Sequence, residues 1–286
     1  MFSSLSYDSL VSAAIESTDC KPFVIGIAGG SASGKSKFCE LIQCKLNNEF
    51  NVPKDAILVL NASNFYKSLS EDKIKLALTG MYNFDHPFAF DIDLLQKTLQ
   101  CLIIGQRTKL YQYNFNTFQQ ECIGYCEDYP SIILIEGILV LYFDELRPLF
   151  SMKVFLDVDS DTRLSNTVMR DTVDGKLRRT KLIDQVLDEW LNNVKPSFED
   201  YVLPSKKHAD VVVPRGLDNT VAIDLIVQHI YDLFRSGQVG SKRKLFGNAS
   251  GSLNKIAEET EESPTSPRME MFSFDNGESI YKPVPE

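Results

Sequence analysis

An apolar run from Phe23 to Ala28 breaks into the turn Gly29-Gly30-Ser31-Ala32-Ser33-Gly34-Lys35-Ser36, and no other stretch limits the fold as tightly. Four residues separate Gly29 from Gly34, and Lys35 and Ser36 follow at once. In that spacing, after a strand and before a helix, backbone N–H groups wrap phosphate oxygens. The cradle is Gly29, Gly30, Ser31, Ala32, Ser33, Gly34, Lys35, Ser36 and Lys37. The Lys35 ammonium is set to reach the β and γ oxygens of a nucleotide, and the Ser36 hydroxyl to ligate Mg²⁺. The glycines let the backbone approach a phosphate without a Cβ, and a helix from Lys35 to about Leu46 adds the positive end of its dipole.

The 286 residues suffice for one sizeable α/β domain with flanking segments. The net charge of −9 argues against nucleic acid as a partner, because that needs a clustered positive surface. Local cations must hold an anionic nucleotide instead. The six cysteines lack zinc-type CxxC pairs, so they read as reduced thiols. Cys122 and Cys126 are the one close pair. With no basic leader followed by a long apolar segment, and no membrane-length run, the expectation is a cytoplasmic protein without membrane contact.

Residues 1–20 are Ser-rich and weakly patterned, which predicts a flexible arm. A second strand is expected over Ala56 to Leu60, ending in the polar cluster Asn61-Ala62-Ser63-Asn64, where open α/β sheets place ligand groups. Ser70 is read as the cap of a helix over Glu71–Leu78 closed by Gly80, and Asp91 as the start of another with Leu94, Leu95, Leu99 and Leu102 on its core face. Short alternating segments over about 106–127 predict an inserted antiparallel β-hairpin. The aliphatic run Ile132 to Ile135 ends in Glu136, which a central strand would deliver to the phosphates. A strand at Lys153–Asp157 and a helix from about Asp161 to Arg170 follow. The basic stretch 174–181 in an acidic chain reads as a mobile cationic flap over phosphate, since phosphoryl transfer is catalysed by positioning and charge neutralisation. A helix over Leu182 to Val194 is expected to stop at Pro196, followed by a strand at 210–214 and a helix over Asn219–Phe234. Residues 237–286, rich in Ser, Glu and Pro, are expected to be disordered.

Several short motifs share one order. They are 25–36, Phe65-Tyr66, Asn83-Phe84-Asp85-His86-Pro87, Glu136-Gly137-Ile138-Leu139, Asp161-Thr162-Arg163-Leu164, Arg170-Asp171, Val194-Lys195-Pro196, Pro214-Arg215-Gly216 and 226–230. From about Pro22 to Phe234 the chain resembles the uridine-cytidine kinases, in the nucleoside-kinase branch of the P-loop kinases. The resemblance implies an α/β fold, a doubly wound parallel sheet with helices on both faces, spanning 21–236. A small inserted β-hairpin and a helical lid at about 171–195 belong to it. It implies ATP- and Mg²⁺-dependent phosphorylation of the 5′-hydroxyl of uridine and cytidine, and a homo-oligomer.

Carried over position by position, Lys35 and Ser36 match the loop and Glu136 matches the acid near the metal. Asp218 falls where the family approaches the ATP base. Arg170 and Arg179 match lid arginines, and Lys181 stands for another, keeping the charge without the bidentate fork. Asp85 matches the residue on the ribose hydroxyls, and Tyr113 the one against the base. Phe118 replaces a histidine that hydrogen-bonds the pyrimidine, Thr167 a ribose-side arginine, and Glu189 a glutamine. Ser63 stands where the pattern puts a catalytic aspartate. A serine hydroxyl cannot take a proton at neutral pH, so two readings follow: a kinase of uncertain rate, or an ATP-binding paralogue serving as a regulatory or partner subunit.

Overall fold

The computed structural model describes residues 21–127, 129–174 and 181–236, with the side chains of Val173 and Asp174 excepted. The expected arm at 1–20, Arg179 with most of the basic stretch, and the expected tail at 237–286 lie outside the described residues.

Five parallel strands make the central sheet. They are β1 (Phe23–Gly29), β2 (Ile57–Asn61), β5 (Ile132–Glu136), β6 (Met152–Asp157) and β7 (Val211–Pro214), in the order β2-β5-β1-β6-β7. Strand β1 runs between β5 and β6, and the chain leaves it first toward β2 and later crosses to β6. Ligand groups in such sheets gather at the carboxyl edge, where the winding reverses. That edge carries the glycine turn after β1, Ser63 after β2, Glu136 at the end of β5, and residues 216–218 after β7.

Alternation along each strand sends side chains to two separate cores. Ile25, Ile27, Ile132, Leu134, Val154 and Leu156 pack with α1 (Lys35–Phe50) and the last helix, Thr220–Arg235. Val24, Ala28, Ile133, Ile135 and Phe155 face the other way, onto α3 (Ile92–Ile104) through Leu95, Leu99, Leu102 and Ile103. The central strands are apolar throughout because both faces are covered. Helix α1 runs one turn beyond the expected Leu46 and ends at Asn51 in the left-handed conformation. Asp91 caps α3 as expected, its carboxylate accepting from the Leu94 amide at 3.1 Å. Between β2 and α3 lies α2 (Glu71–Leu78), whose cap residue Ser70 makes no side-chain capping bond.

The expected hairpin forms from β3 (Thr108–Asn114) and β4 (Gln119–Cys126), an antiparallel pair outside the main sheet. It is tied to the turn after β2. The Gln120 side-chain amide donates to the Asn64 carbonyl (2.9 Å), that of Gln119 donates to the Leu69 carbonyl (3.0 Å), and the Leu69 amide donates to the Phe118 carbonyl (3.0 Å).

After α4 (Ser160–Met169) and α5 (Ile183–Glu189), the expectation at Pro196 is corrected. Residues 183–208 stay helical throughout, and Pro196 does not end the run. Wide π turns at Trp190–Val194 and Phe198–Val202 precede short α turns that begin with Lys195-Pro196 and Leu203-Pro204. A wide turn moves the carbonyl that a proline ring would strike and removes the demand for its missing N–H, so the helix continues. The last helix is labelled α6 below.

Candidate active site

The glycine turn forms a cradle. Ala32 has φ 58° and Gly34 φ 86°, so successive amides turn inward before the first turn of α1. Lys35 is only 8% exposed, and its ammonium donates to the Gly30 carbonyl at 2.8 Å. The Ser36 hydroxyl donates to Glu136 Oε1 at 2.7 Å, joining loop and strand β5 as the sequence predicts. The buried Ser33 hydroxyl has no partner among the described residues. A lined cradle with an orphaned hydroxyl and a buried ammonium fits a polyphosphate. No group of three metal-ligating side chains occurs among the described residues. Ser36 and Glu136 are two oxygen donors, which suits Mg²⁺ shared with phosphate.

Burial lowers the pKa of Lys35, while Glu136 and Asp85 raise it and Arg170 and Arg163 lower it further. Ser31 of the cradle and Asp85 of the acidic loop line one pocket, which places that loop beside the phosphate cradle. Three ties between that loop and the helical run hold it there. The Asn193 side-chain amide donates to the Gly80 carbonyl (2.9 Å), that of Asn83 to the Ser197 hydroxyl (2.9 Å), and the Tyr201 hydroxyl meets His86 Nε2 at 3.0 Å.

Next to the cradle, a pocket is lined by Ser31, Asp85, Thr167, Arg170, Lys181 and Glu189, together with Phe84, Phe115, Phe118 and Trp190. Phe118 stacks on Phe84 at 6.0 Å between centroids and 19° between planes. It holds φ 55°, a conformation a bulky residue rarely adopts, in the hairpin turn. Thr167 turns its hydroxyl back to the Arg163 carbonyl (2.8 Å), so its donor is already taken within the helix. Glu189 is paired with Lys181 and lies against Gly80, where a Cβ would meet its carboxylate oxygen at 2.6 Å. Tyr113 is not among the lining side chains. It sits edge-on to Phe115 (5.1 Å) and Phe84 (6.4 Å), and its buried hydroxyl has no partner among the described residues.

Arg170 is held by Asp171 through bonds of 2.6 and 3.1 Å. Burial opposes its charge, but this pairing outweighs burial and raises its pKa. Asp218 closes the turn Gly216–Asp218, whose Leu217 side chain stands 3.1 Å from where a Cβ on Gly34 would be. Ser63 lies in the 3₁₀ turn Ala62–Phe65, its amide bonded to the Asn61 side-chain oxygen at 2.8 Å. Ser31, Asp85, Phe118, Thr167, Arg170, Lys181 and Glu189 of the expected site share one pocket lining; Tyr113 and Ser63 are not part of that lining, and Asp218 is placed only in the turn beside the cradle.

Arg163 has no assigned role in the sequence reading. It is 2% exposed, stacked on Phe198, and close beside Gly30. Its signal in the sequence was its place in the motif Asp161-Thr162-Arg163-Leu164, in the first turn of the helix after β6.

A family model described as phosphoribulokinase/uridine kinase matches residues 24–222, most of the chain. The chain belongs to the phosphoribulokinase/uridine kinase family. Among its relatives, uridine-cytidine kinase 2-B of Danio rerio is 44% identical over 219 residues, covering 76% of this chain and 82% of that protein. Uridine kinase-like protein 3 of Arabidopsis thaliana is 42% identical over 212 residues, 74% of this chain but 43% of that protein, so the chain spans less than half of that relative's length. Among solved structures, a candidate fructose transport system kinase from Silicibacter sp. TM1040 superposes with a TM-score of 0.55 at 17% identity, over 73% of this chain and 100% of that one. At that identity the likeness concerns the fold of this kinase family, and the parallel sheet with helices agrees with it.

Proposed function

We propose that this member of the family is a nucleoside kinase that transfers the γ-phosphoryl group of ATP to the 5′-hydroxyl of uridine and cytidine. The observation that carries the reading is geometric. Ser31 of the cradle and Asp85 of the acidic loop line one pocket, so donor and acceptor sides share one space. The relatives named uridine-cytidine kinases support the same reaction, and they favour it over the partner-subunit reading.

The cradle amides and Lys35 bind and neutralise the phosphates. Ser36 and Glu136 would hold Mg²⁺, which would supply positive charge against that of the phosphates. Asp85 accepts from the ribose hydroxyls and orients the acceptor. The aromatic wall of Phe84, Phe115 and Phe118 takes the base and excludes water. Arg170 and Lys181, with Arg179 from outside the described residues, supply cationic charge over the transferring group. Asp218, in the turn after β7, is assigned to the approach of the ATP base by its match to the family position. With Ser63 in place of a carboxylate, the acceptor proton has no base at that position, and the rate rests on alignment and charge stabilisation. A homo-oligomer in the cytoplasm completes the proposal. Among the described residues no helix is long and apolar enough to cross a membrane.

The test is purified protein with ATP, Mg²⁺ and a panel of nucleosides, read as 5′-monophosphate formed. UMP and CMP are expected, and a panel without product above background rejects the reading.

A further inference from the structure

Gly30 has two cationic neighbours. Its carbonyl accepts from Lys35 Nζ at 2.8 Å, and Arg163 Nη1 lies 2.6 Å from where a Cβ on Gly30 would stand. Arg163 is anchored on its other side. Its Nε donates to the Val158 carbonyl at 3.1 Å, and its guanidinium carbon lies 3.8 Å from the centre of the Phe198 ring and 5.4 Å from that of Trp190. The guanidinium is thus fixed in place by the β6–α4 turn and by the helical run 183–208. Yet Nη1 is buried and has no hydrogen-bond partner among the described residues. A buried donor without an acceptor is costly, and a charged one more so. A second strap lies beside it, where the Asn166 side-chain amide donates to the Ala32 carbonyl at 3.2 Å.

A nucleotide's terminal phosphates compete with the Gly30 carbonyl for the Lys35 ammonium, and as the ammonium shifts toward phosphate oxygen its bond to that carbonyl weakens. We propose that Arg163 is a positioning residue for the phosphate loop: its Nη1 takes over the Gly30 carbonyl as Lys35 leaves it for the nucleotide. Stacking on Trp190 and Phe198 couples this exchange to the helical run that also clamps the Asp85 loop. No bond other than hydrogen bonds changes, and both cations stay protonated. The absence of a side chain at residue 30 is then required, since a Cβ would occupy the path of the guanidinium.

The inference rests on the kinase reading, and the experiment separates the two. ATP and uridine are titrated separately into wild type, Arg163→Met and Arg163→Lys, with binding read by calorimetry and by thermal shift. Methionine keeps an apolar stem against Phe198 and Trp190 and removes every donor. Arg163→Met is expected to lose about tenfold in ATP affinity, the size of one hydrogen bond to a buried carbonyl, while uridine affinity stays within about twofold. Arg163→Lys is expected to recover part of the loss. A role confined to packing would weaken both ligands alike and gain nothing from lysine, and that result overturns the proposal, as does ATP affinity in Arg163→Met equal to wild type. A wild-type protein indifferent to ATP overturns the kinase reading and this one with it.

Should Arg163→Met fail to fold, the wild type still decides through its guanidinium ¹⁵N spectrum, assigned by the signal missing in Arg163→Lys. Slower exchange of the Arg163 Nη protons on adding Mg²⁺-ATP supports the handover, and an unchanged signal overturns it.

Discussion

At the scale of single residues, Lys35 sets the pH behaviour of the cradle. Burial lowers its pKa from the ordinary 10.5, and the carboxylates of Glu136 and Asp85 offset that only in part. Between the lowered value and 10.5 the unfolded chain binds more protons than the folded one, so Lys35 favours folding more as pH rises through that window. Phosphate binding acts in the opposite sense, because it restores the charged amine. ATP affinity is therefore expected to fall as pH rises through the lowered pKa of Lys35, and binding in that range is expected to take up a proton, seen by calorimetry in two buffers. In Lys35→Arg, which stays charged, the alkaline limb should vanish. Flat affinity in the wild type would contradict a buried, functional ammonium. Ser63 makes a second prediction. If the site otherwise works, Ser63→Asp should raise kcat on uridine by roughly 10²–10⁴, the usual contribution of a positioned general base. Asp85 came from the family resemblance alone, whereas the cradle and Glu136 were legible in the sequence because spacing and strand-end position carry their chemistry. Arg163 was not, because an arginine in an amphipathic helix reads as solvated until the rings of Trp190 and Phe198 are seen against it.

At the scale of elements, the parts best read from sequence were those in which one local rule fixed the structure. Continuous aliphatic runs gave β1 and β5, and Asp91 gave the start of α3. The stretch 183–208 was misread because proline's local penalty was taken alone, whereas the folded chain relaxes it with wide turns and tertiary contacts. The same logic shows how a cap can reach the nucleotide. The Asn219 side chain accepts from the Ala222 amide at 3.1 Å, capping α6, and donates to the Pro214 carbonyl at 3.3 Å. It thus fixes the Gly216–Asp218 turn that carries Leu217 against Gly34. Asn219→Ala is expected to cost about 1 kcal/mol, which corresponds to a melting temperature roughly 2–4 °C lower. KM for ATP should rise while KM for uridine does not, as the turn touches the cradle and not the aromatic pocket. Equal changes in both would mean that the turn acts only through global stability.

At the scale of the whole molecule, the phosphate cradle and the aromatic pocket occupy different parts of one carboxyl edge. The phosphate cradle belongs to the sheet, through β1, β5 and α1. The acceptor pocket is assembled from three segments far apart in sequence: the Asp85 loop, the hairpin turn with Phe115 and Phe118, and the helical run with Glu189 and Trp190. Sequence could suggest each segment but not their meeting, because the ties at Asn83–Ser197, Gln120–Asn64 and Asn193–Gly80 span 114, 56 and 113 positions. Such long-range assemblies open locally at lower free energy than a sheet core. ATP at a hundred times its Kd is expected to stabilise the fold by about 2.7 kcal/mol, raising the melting temperature by roughly 5–10 °C. Amide exchange should then separate the ligands. ATP should slow exchange at residues 29–36, whereas uridine should slow it at 80–86, 115–118 and 183–194 together, because one nucleoside has to bridge all three segments. Protection by uridine in only one of them would show that the pocket does not close as a unit, and that Asp85 is not brought to the acceptor by the fold described here.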